Sequence, residues 1–186
     1  MDTPRTIPRG APTEPRLILR PLALTDEDQA WAAHRELAAD GFELLPGARD
    51  DRPWSAYLDA LDRERAGIDL PPGWVPATLL VAAVGDTLVG CLSVRHSLTA
   101  DLALMGGHIG YGVRPGFRGR GYATQMLRHG LVVLRTLGVS PALVTCADTN
   151  LASARVIERC GGRLRDVVPS PHDGRPTRRY DVPVPA

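Results

Sequence analysis

The stretch GVRPGFRGRGYATQMLRHGL, Gly112 to Leu131, holds the densest set of residues able to do chemistry in this chain. An extended run ends at Val113, a glycine-rich turn follows, and an amphipathic helix starts near Tyr122. The first turn of a helix carries unpaired N–H groups and a partial positive charge, so it can hold a phosphate. Gly116, Gly119 and Gly121 let backbone amides approach closely, and Arg114, Arg118 and Arg120 add three cations. Together these fit a diphosphate held by backbone. The spacing is neither GxxxxGK[ST] nor GxGxxG, which argues against a nucleoside triphosphate and against a dinucleotide.

The elements that must position this turn are readable around it. RLILRPL (Arg16 to Leu22) is a short strand stopped by Pro21. Thr25 or Asp26 caps a helix running to about Ala39, and a second helix follows Pro53 with Trp54, Tyr57, Leu58 and Leu61 at helical spacing. GIDLPPGWVP (Gly67 to Pro76) is a loop. TLLVAAV (Thr78 to Val84) and TLVGCLSV (Thr87 to Val94) flank Gly85-Asp86 as a hairpin, and HIGYGV (His108 to Val113) is the next strand. After the glycine turn, Ala123, Met126, Leu127, Gly130, Leu131, Leu134 and Leu137 form one apolar stripe. ALVTCA (Ala142 to Ala147) is a buried strand, Asn150 caps the helix LASARVIERC, and Gly161-Gly162 ends it. Two edge-like strands near Arg163–Val168 and Arg178–Val184 close the chain. Antiparallel pairs in the first half and a strand–helix–strand unit in the second predict a layered α/β domain. Residues 1–15, with four prolines, predict a flexible arm, and residues 16–186 a single domain.

Composition narrows the chemistry. The chain has 186 residues, 44% hydrophobic and 23% charged, as a globular domain does. All 22 basic residues are arginine, so Schiff-base and pyridoxal phosphate chemistry through lysine are excluded. Three scattered cysteines suit neither a disulfide framework nor a metal cluster, and no signal peptide or membrane span is readable, which predicts a cytoplasmic protein. Residues 1–93 carry nine Arg against 15 Asp/Glu, a balance of −6, whereas residues 94–186 carry 13 Arg against six, a balance of +7. The asymmetry predicts an anionic ligand for the second half and a cationic one for the first.

Arg118-Gly119-Arg120-Gly121-Tyr122-Ala123 resembles the R/Q-x-x-G-x-G/A signature of the GNAT superfamily of acyl-CoA-dependent N-acetyltransferases, with Val113-Arg114-Pro115 leading into it. A second family motif, an Asn-capped helix ending in glycine, is similar to Asn150 through Gly162. GGHIGYGVRP, GYATQMLR and TCADTNLASARVIERCGG look like one branch of predicted acetyltransferases. The resemblance implies a GNAT-like, mixed and mostly antiparallel central sheet of about six to seven strands flanked by about four helices. It implies acetyl-CoA as co-substrate with no metal. Gly119, Gly121 and their neighbours Arg118, Arg120, Tyr122 and Ala123 would grip the pyrophosphate. Tyr111, Gly112 and Val113 would line a gap between the strands His108–Val113 and Ala142–Ala147, where the pantetheine arm enters. Asn150 and Ser153 would meet that arm or its thiol end. On a regular strand His108, Gly110 and Gly112 point one way, and the two missing side chains leave room for a ligand.

The implied reaction is direct attack by an amine on the thioester, with the oxyanion held by N–H groups around Gly110–Gly112. An alkylammonium must first lose a proton, and His108 and then His96 are the candidate bases, with Glu36 or Glu43 acting through water as further options. Many family members carry a tyrosine where this chain has Ile157, so a tyrosine acid would have to be Tyr111, Tyr122 or Tyr180. Cys146 and Cys160 lack a neighbouring histidine in sequence and are unattractive nucleophiles. Trp31, Trp54 and Trp74 read as core or loop anchors. The predicted function is N-acetylation of a small, cationic amine, with no nucleic-acid or membrane partner and a monomeric or homodimeric state whose partner edge would be the last strand. A non-catalytic acyl-CoA sensor is the alternative, and an arginine-rich nucleic-acid binder a third reading; against the latter, aromatic residues are 5% of the chain and are not interleaved with the arginine cluster.

Overall fold

A computed structural model describes residues 16–185, so the predicted arm at 1–15 lies outside the described residues. Four strands, β1 (Leu17–Arg20), β2 (Ala77–Val84), β3 (Thr87–Arg95) and β4 (Ile109–Val113), pair antiparallel in chain order. A second antiparallel sheet has the order β5 (Ala142–Ala147), β7 (Pro176–Val182), β6 (Arg163–Pro169). The helices are α1 (Glu27–Ala38), α2 (Trp54–Ala66), α3 (Ala100–Leu104), α4 (Tyr122–Thr136) and α5 (Leu151–Arg159). The expected α/β architecture of about six to seven strands is thus present among the described residues, with seven strands divided between two sheets that are antiparallel throughout and with five helices in place of about four. None of the helices is long and apolar enough to cross a membrane.

Alternation along β2 and β3 builds a core on each face of the first sheet. Leu80, Ala82, Leu92, Val94 and Ile109 bury against Met126, Leu127, Leu131 and Leu134 of α4. Val81, Ala83, Leu88 and Cys91 bury against Ala30, Ala33 and Leu37 of α1 and Trp54 of α2. Each large side chain contributes about 1.5–3 kcal/mol on burial. α4 reaches β4 closely because Gly130 has no side chain: a Cβ there would lie 3.0 Å from Ile109 Cδ1.

Three details differ from the sequence reading. β7 is the middle strand of its sheet and holds the buried Tyr180, so the open edge belongs to β6 and not to the last strand. α3 is new; at five residues it is too short to show a period, and it starts on Thr99, whose hydroxyl accepts from Leu102 N–H. Asp26 does not cap α1 with its side chain. A 3-10 turn (Leu24–Asp26) leads into that helix, and the Asp26 carboxylate turns back to accept from Ala23 N–H at 2.7 Å and from Arg20 at 2.8 Å.

This half-buried pair, with Asp26 buried and Arg20 reaching it from the surface, ties β1 to α1. The Arg20 guanidinium holds the Asp26 carboxyl below its usual range, despite the opposing effect of burial. Asp26→Ala leaves Arg20 and Ala23 N–H without their acceptor, and a loss of about 2–3 kcal/mol is expected in thermal unfolding at pH 7. A carboxyl depressed in the folded state stabilises above its unfolded pKa and stops doing so as pH falls through the folded one. The gap between parent and variant should therefore be full at neutral pH and shrink below about pH 4.

Candidate active site

The two sheets meet at one point and then part. His108, just before β4, donates its N–H to Leu143 O at 2.7 Å, and Leu143 N–H donates to His108 Nδ1 at 2.9 Å. Gly107 forms an isolated bridge with Val144, and a Cβ on Gly107 would sit 2.5 Å from Leu143 O, so only glycine permits this approach. Beyond it, no ladder joins β4 to β5 among the described residues.

Hydrogen-bond alternation fixes what β4 offers to the gap. Arg95 N–H bonds His108 O and Arg114 N–H bonds Val89 O, so Gly110 and Gly112, which alternate between these two residues, face β3 with their polar backbone. The N–H groups of Tyr111 and Val113 therefore point the other way, into the split. The oxyanion donors expected around Gly110–Gly112 reduce to Tyr111, since Gly110 and Gly112 are committed to the sheet. Gly112 does not leave room for a ligand as expected: a Cβ there would be 2.8 Å from the Phe42 ring, which fills that space from the α1–α2 connection.

A cleft of about 610 Å³ opens from the split, lined by Tyr111–Val113, by Phe117, Arg118, Gly119 and the start of α4, by one face of α5, and by Leu37, Asp40 and Phe42. α4 begins on Gly121 (φ 78°) with no side-chain cap, and none of the described residues lies within 4 Å of a Cβ built on Gly119 or Gly121. The first-turn N–H groups of Tyr122, Ala123 and Thr124 border the cleft without a cap, as an anionic ligand requires.

The three arginines divide. Arg114 is withdrawn, with Nε and Nη2 on Glu36 at 2.9 and 2.6 Å and Nη1 on Leu88 O. Arg120 reaches Gly116 O and stacks over Phe117. Arg118 stays at the cleft, anchored by Nε to Val113 O at 3.0 Å and paired with Asp40 across the mouth. Part of the charge asymmetry thus joins the two halves through Glu36–Arg114 and Asp40–Arg118, and does not face a ligand. Sequence reasoning missed Arg155 and Arg159, which line the cleft from α5; their i, i+4 spacing on an Asn-capped helix was the available signal.

At the inner end, Tyr111 Oη lies 2.9 Å from Ser153 Oγ, linking β4 to α5. Burial pushes the Tyr111 phenol well above its ordinary value. Asn150 Oδ1 accepts from Ser153 N–H at 3.0 Å, so it caps α5. Ile157 is in the core. Burial also raises the thiols of Cys146 and Cys160, opposite to what a nucleophile needs.

Neither candidate histidine borders this cleft. His108 accepts from Leu143 N–H at Nδ1, so the neutral ring carries its proton on Nε2 and has no second lone pair to offer; His108 is a clasp between the sheets and not a base. His96 Nε2 lies 2.9 Å from Thr78 Oγ1 at the end of β3, and burial lowers its pKa. Among the described residues, no cluster of His, Cys, Asp and Glu could hold a metal ion.

The sequence pattern of the acetyltransferase (GNAT) domain matches residues 16–163. Solved structures share the fold. A putative acetyltransferase from Salmonella typhimurium, determined with its cofactor acetyl-CoA, aligns at TM-score 0.62 and 12% identity over 91% of this chain and 94% of that one. An acetyltransferase from Agrobacterium tumefaciens aligns at TM-score 0.58 and 22% identity over 96% and 99%. A spermidine N-acetyltransferase chimera from Vibrio cholerae aligns at TM-score 0.60 and 14% identity over 90% and 95%. No curated protein sequence matches. With the family pattern spanning most of the chain, over a split sheet that opens onto an uncapped helix start, this protein belongs to the GNAT family of acetyltransferases.

Proposed function

We infer that the protein transfers the acetyl group of acetyl-CoA to the amine of a small molecule, by direct attack with both substrates bound. The observation that carries this reading is the parting of β4 from β5 into a cleft whose mouth is the uncapped start of α4. Gly119, Gly121 and the first-turn amides would hold the pyrophosphate, with Arg118, Arg155 and Arg159 supplying charge. Tyr111 and Val113 N–H groups would bond the pantetheine arm and polarise the acetyl carbonyl, and Ser153 and Tyr111 Oη would stand at the sulfur. Acetyl-CoA supplies an activated acyl group, and no metal enters the scheme.

The acyl-CoA sensor remains the second reading because Ile157, where relatives carry a tyrosine, is packed in the core. The nucleic-acid reading is weakened, because Arg114, Arg118, Arg165, Arg178 and Arg179 all pair with carboxylates of this chain. Thiol release from acetyl-CoA across a panel of amino acids, polyamines and aminoglycosides tests the proposal. Release that depends on one amine supports it, binding without release for any amine favours the sensor, and absence of acetyl-CoA binding overturns both.

The Asp40–Arg118 pair competes with the ligand for Arg118 and places a carboxylate beside the phosphate path. Asp40→Asn should tighten acetyl-CoA binding by about 2- to 5-fold at low salt, an exposed pair being worth under about 1 kcal/mol. Glu36→Gln, which frees only the withdrawn Arg114, should leave the affinity unchanged. Calorimetric titration of both variants checks this.

A further inference from the structure

Two charged side chains on the α1–α2 side of the first sheet are unexplained by the coenzyme cleft. Arg95 ends β3 on the same face as Cys91 and Ser93. Its Nη1 is held by the carbonyls of Gly106 at 3.2 Å and Gly107 at 3.1 Å, and a Cβ on Gly110 would be 3.8 Å from that nitrogen. The guanidinium therefore lies over the bare backbone of β4, where β4 leaves the clasp at His108. Among the described residues no carboxylate hydrogen-bonds to it or comes within ion-pair distance, and Glu64 is the carboxylate whose charge it feels.

Glu64 approaches from α2. Leu61, one turn earlier, packs in the cluster that contains Leu79 of β2. Ala77, on the same face of β2 as Leu79, pairs with Arg95. Continuing α2 by one turn from Leu61 carries Glu64 toward this end of the sheet. Glu64 borders a cavity of about 220 Å³ whose other walls include Tyr57, Leu61, Ile68 and Trp74. Tyr57 Oη in that wall is buried and has no hydrogen-bond partner among the described residues. Arg63 and Asp69, also at the cavity, neutralise each other as an ion pair.

An arginine and a glutamate that act on each other electrostatically across one face, without forming an ion pair among the described residues, leave a place for a ligand carrying both signs. We propose that the acceptor is an amine that also bears a carboxylate, with the ammonium on Glu64, the carboxylate on Arg95 and apolar bulk against Trp74. This rests on the acetyltransferase reading and names its substrate class, replacing the simple cationic amine predicted from net charge.

Glu64 is then the base. The ammonium gives a proton to the Glu64 carboxylate, and the freed nitrogen pair forms the C–N bond at the acetyl carbonyl. The C–S bond breaks with its electron pair passing to sulfur, and the second nitrogen proton goes to the thiolate, so that the products are the N-acetyl acid, coenzyme A thiol and protonated Glu64. Burial raises the Glu64 pKa while Arg95 opposes the rise, which makes the carboxylate a stronger base than a solvated one. Among the described residues, the charged or titratable groups around it are Arg95 from β3, Tyr57 from α2 and the Arg63–Asp69 pair, with Glu43 and the Cys91 thiol of β3 acting on Tyr57 beside it.

The test compares amino acids with their decarboxylated amines, tryptophan with tryptamine and phenylalanine with phenethylamine, and with the ethyl ester of each acid, using acetyl-CoA turnover and calorimetric binding in the presence of coenzyme A. At least one acid is expected to exceed its carboxylate-free counterpart by about 10-fold or more in kcat/KM or in affinity. Arg95→Met should erase that preference without weakening acetyl-CoA binding. Glu64→Gln should lower kcat about 100-fold and remove the acidic limb of its pH profile. Equal or weaker binding of every acid relative to its counterpart overturns the proposal even if amines are acetylated. Failure of acetyl-CoA itself to bind would instead overturn the acetyltransferase reading beneath it.

Discussion

Gly121→Val is expected to weaken acetyl-CoA binding by at least about 100-fold while the protein remains folded. Gly121 holds φ 78° at the start of α4, a conformation that costs a β-branched residue about 1–3 kcal/mol. Relief of that strain rotates the peptides that aim the first-turn N–H groups into the cleft. Each such N–H on a phosphate oxygen is a charge-assisted hydrogen bond worth about 1.5–3 kcal/mol, and loss of two accounts for the 100-fold. The valine side chain would also occupy space that is open around Gly121. Gly138, beyond the other end of α4, has φ 72° and equally open surroundings. Gly138→Val should carry a similar folding penalty and bind acetyl-CoA like the parent. Calorimetric titration with circular-dichroism melts of both variants separates the lost site from a lost fold, and equal affinity in the two would contradict the assignment.

Tyr111→Phe should lower kcat by about 10- to 100-fold with KM for acetyl-CoA nearly unchanged. The Tyr111 hydroxyl crosses from β4 to Ser153 on α5, at the inner end of the cleft. Burial raises its pKa, so it stays protonated through neutral and mildly alkaline pH. A thiol titrates near ~8.5, below this phenol, so full proton transfer from Tyr111 to the leaving sulfur runs uphill. Tyr111 would act as a hydrogen-bond donor to a thiolate that departs as an anion, which would let the reaction proceed with Ile157 in the core. Loss of one hydrogen bond to a charged group is about 1.5–3 kcal/mol, the source of the predicted range. The parent should show no alkaline loss of kcat attributable to Tyr111 below about pH 10. A Phe variant with unchanged kcat and only a lower melting temperature would make Tyr111 a brace between β4 and α5.

Local signals in the sequence were reliable where the physics is local. The Gly85-Asp86 hairpin, the apolar stripe of α4 from Met126 to Leu134 and the Asn150 cap each depend on a few adjacent residues, and each stands in the structure, while Leu137 of that stripe lies beyond the helix and is exposed. What failed depends on partners distant in sequence. Nothing near His108 reveals that Leu143 N–H, 35 residues on, would occupy Nδ1. Nothing near Gly112 reveals that Phe42 would fill the space beside it. Arg114 and Arg118 look equivalent in the motif, yet each meets a carboxylate from the end of α1, 78 residues away, and only Arg118 borders the cleft. Glu64 and Arg95 show no motif; their relation comes from the packing of α2 on β2 and the register of β2 with β3.

The central claim is that the parting of β4 and β5 and the start of α4 form one coenzyme site. Titration of the 15N-labelled protein with acetyl-CoA, followed through backbone amide resonances, addresses it residue by residue. Saturable shifts should concentrate at Tyr111, Val113 and the stretch from Gly119 to Thr124, with smaller ones along α5 at Ser153 and Arg155. Saturable binding whose shifts instead cluster elsewhere, for instance around the cavity between α1 and α2 that Trp31 and Trp54 line, would contradict the account.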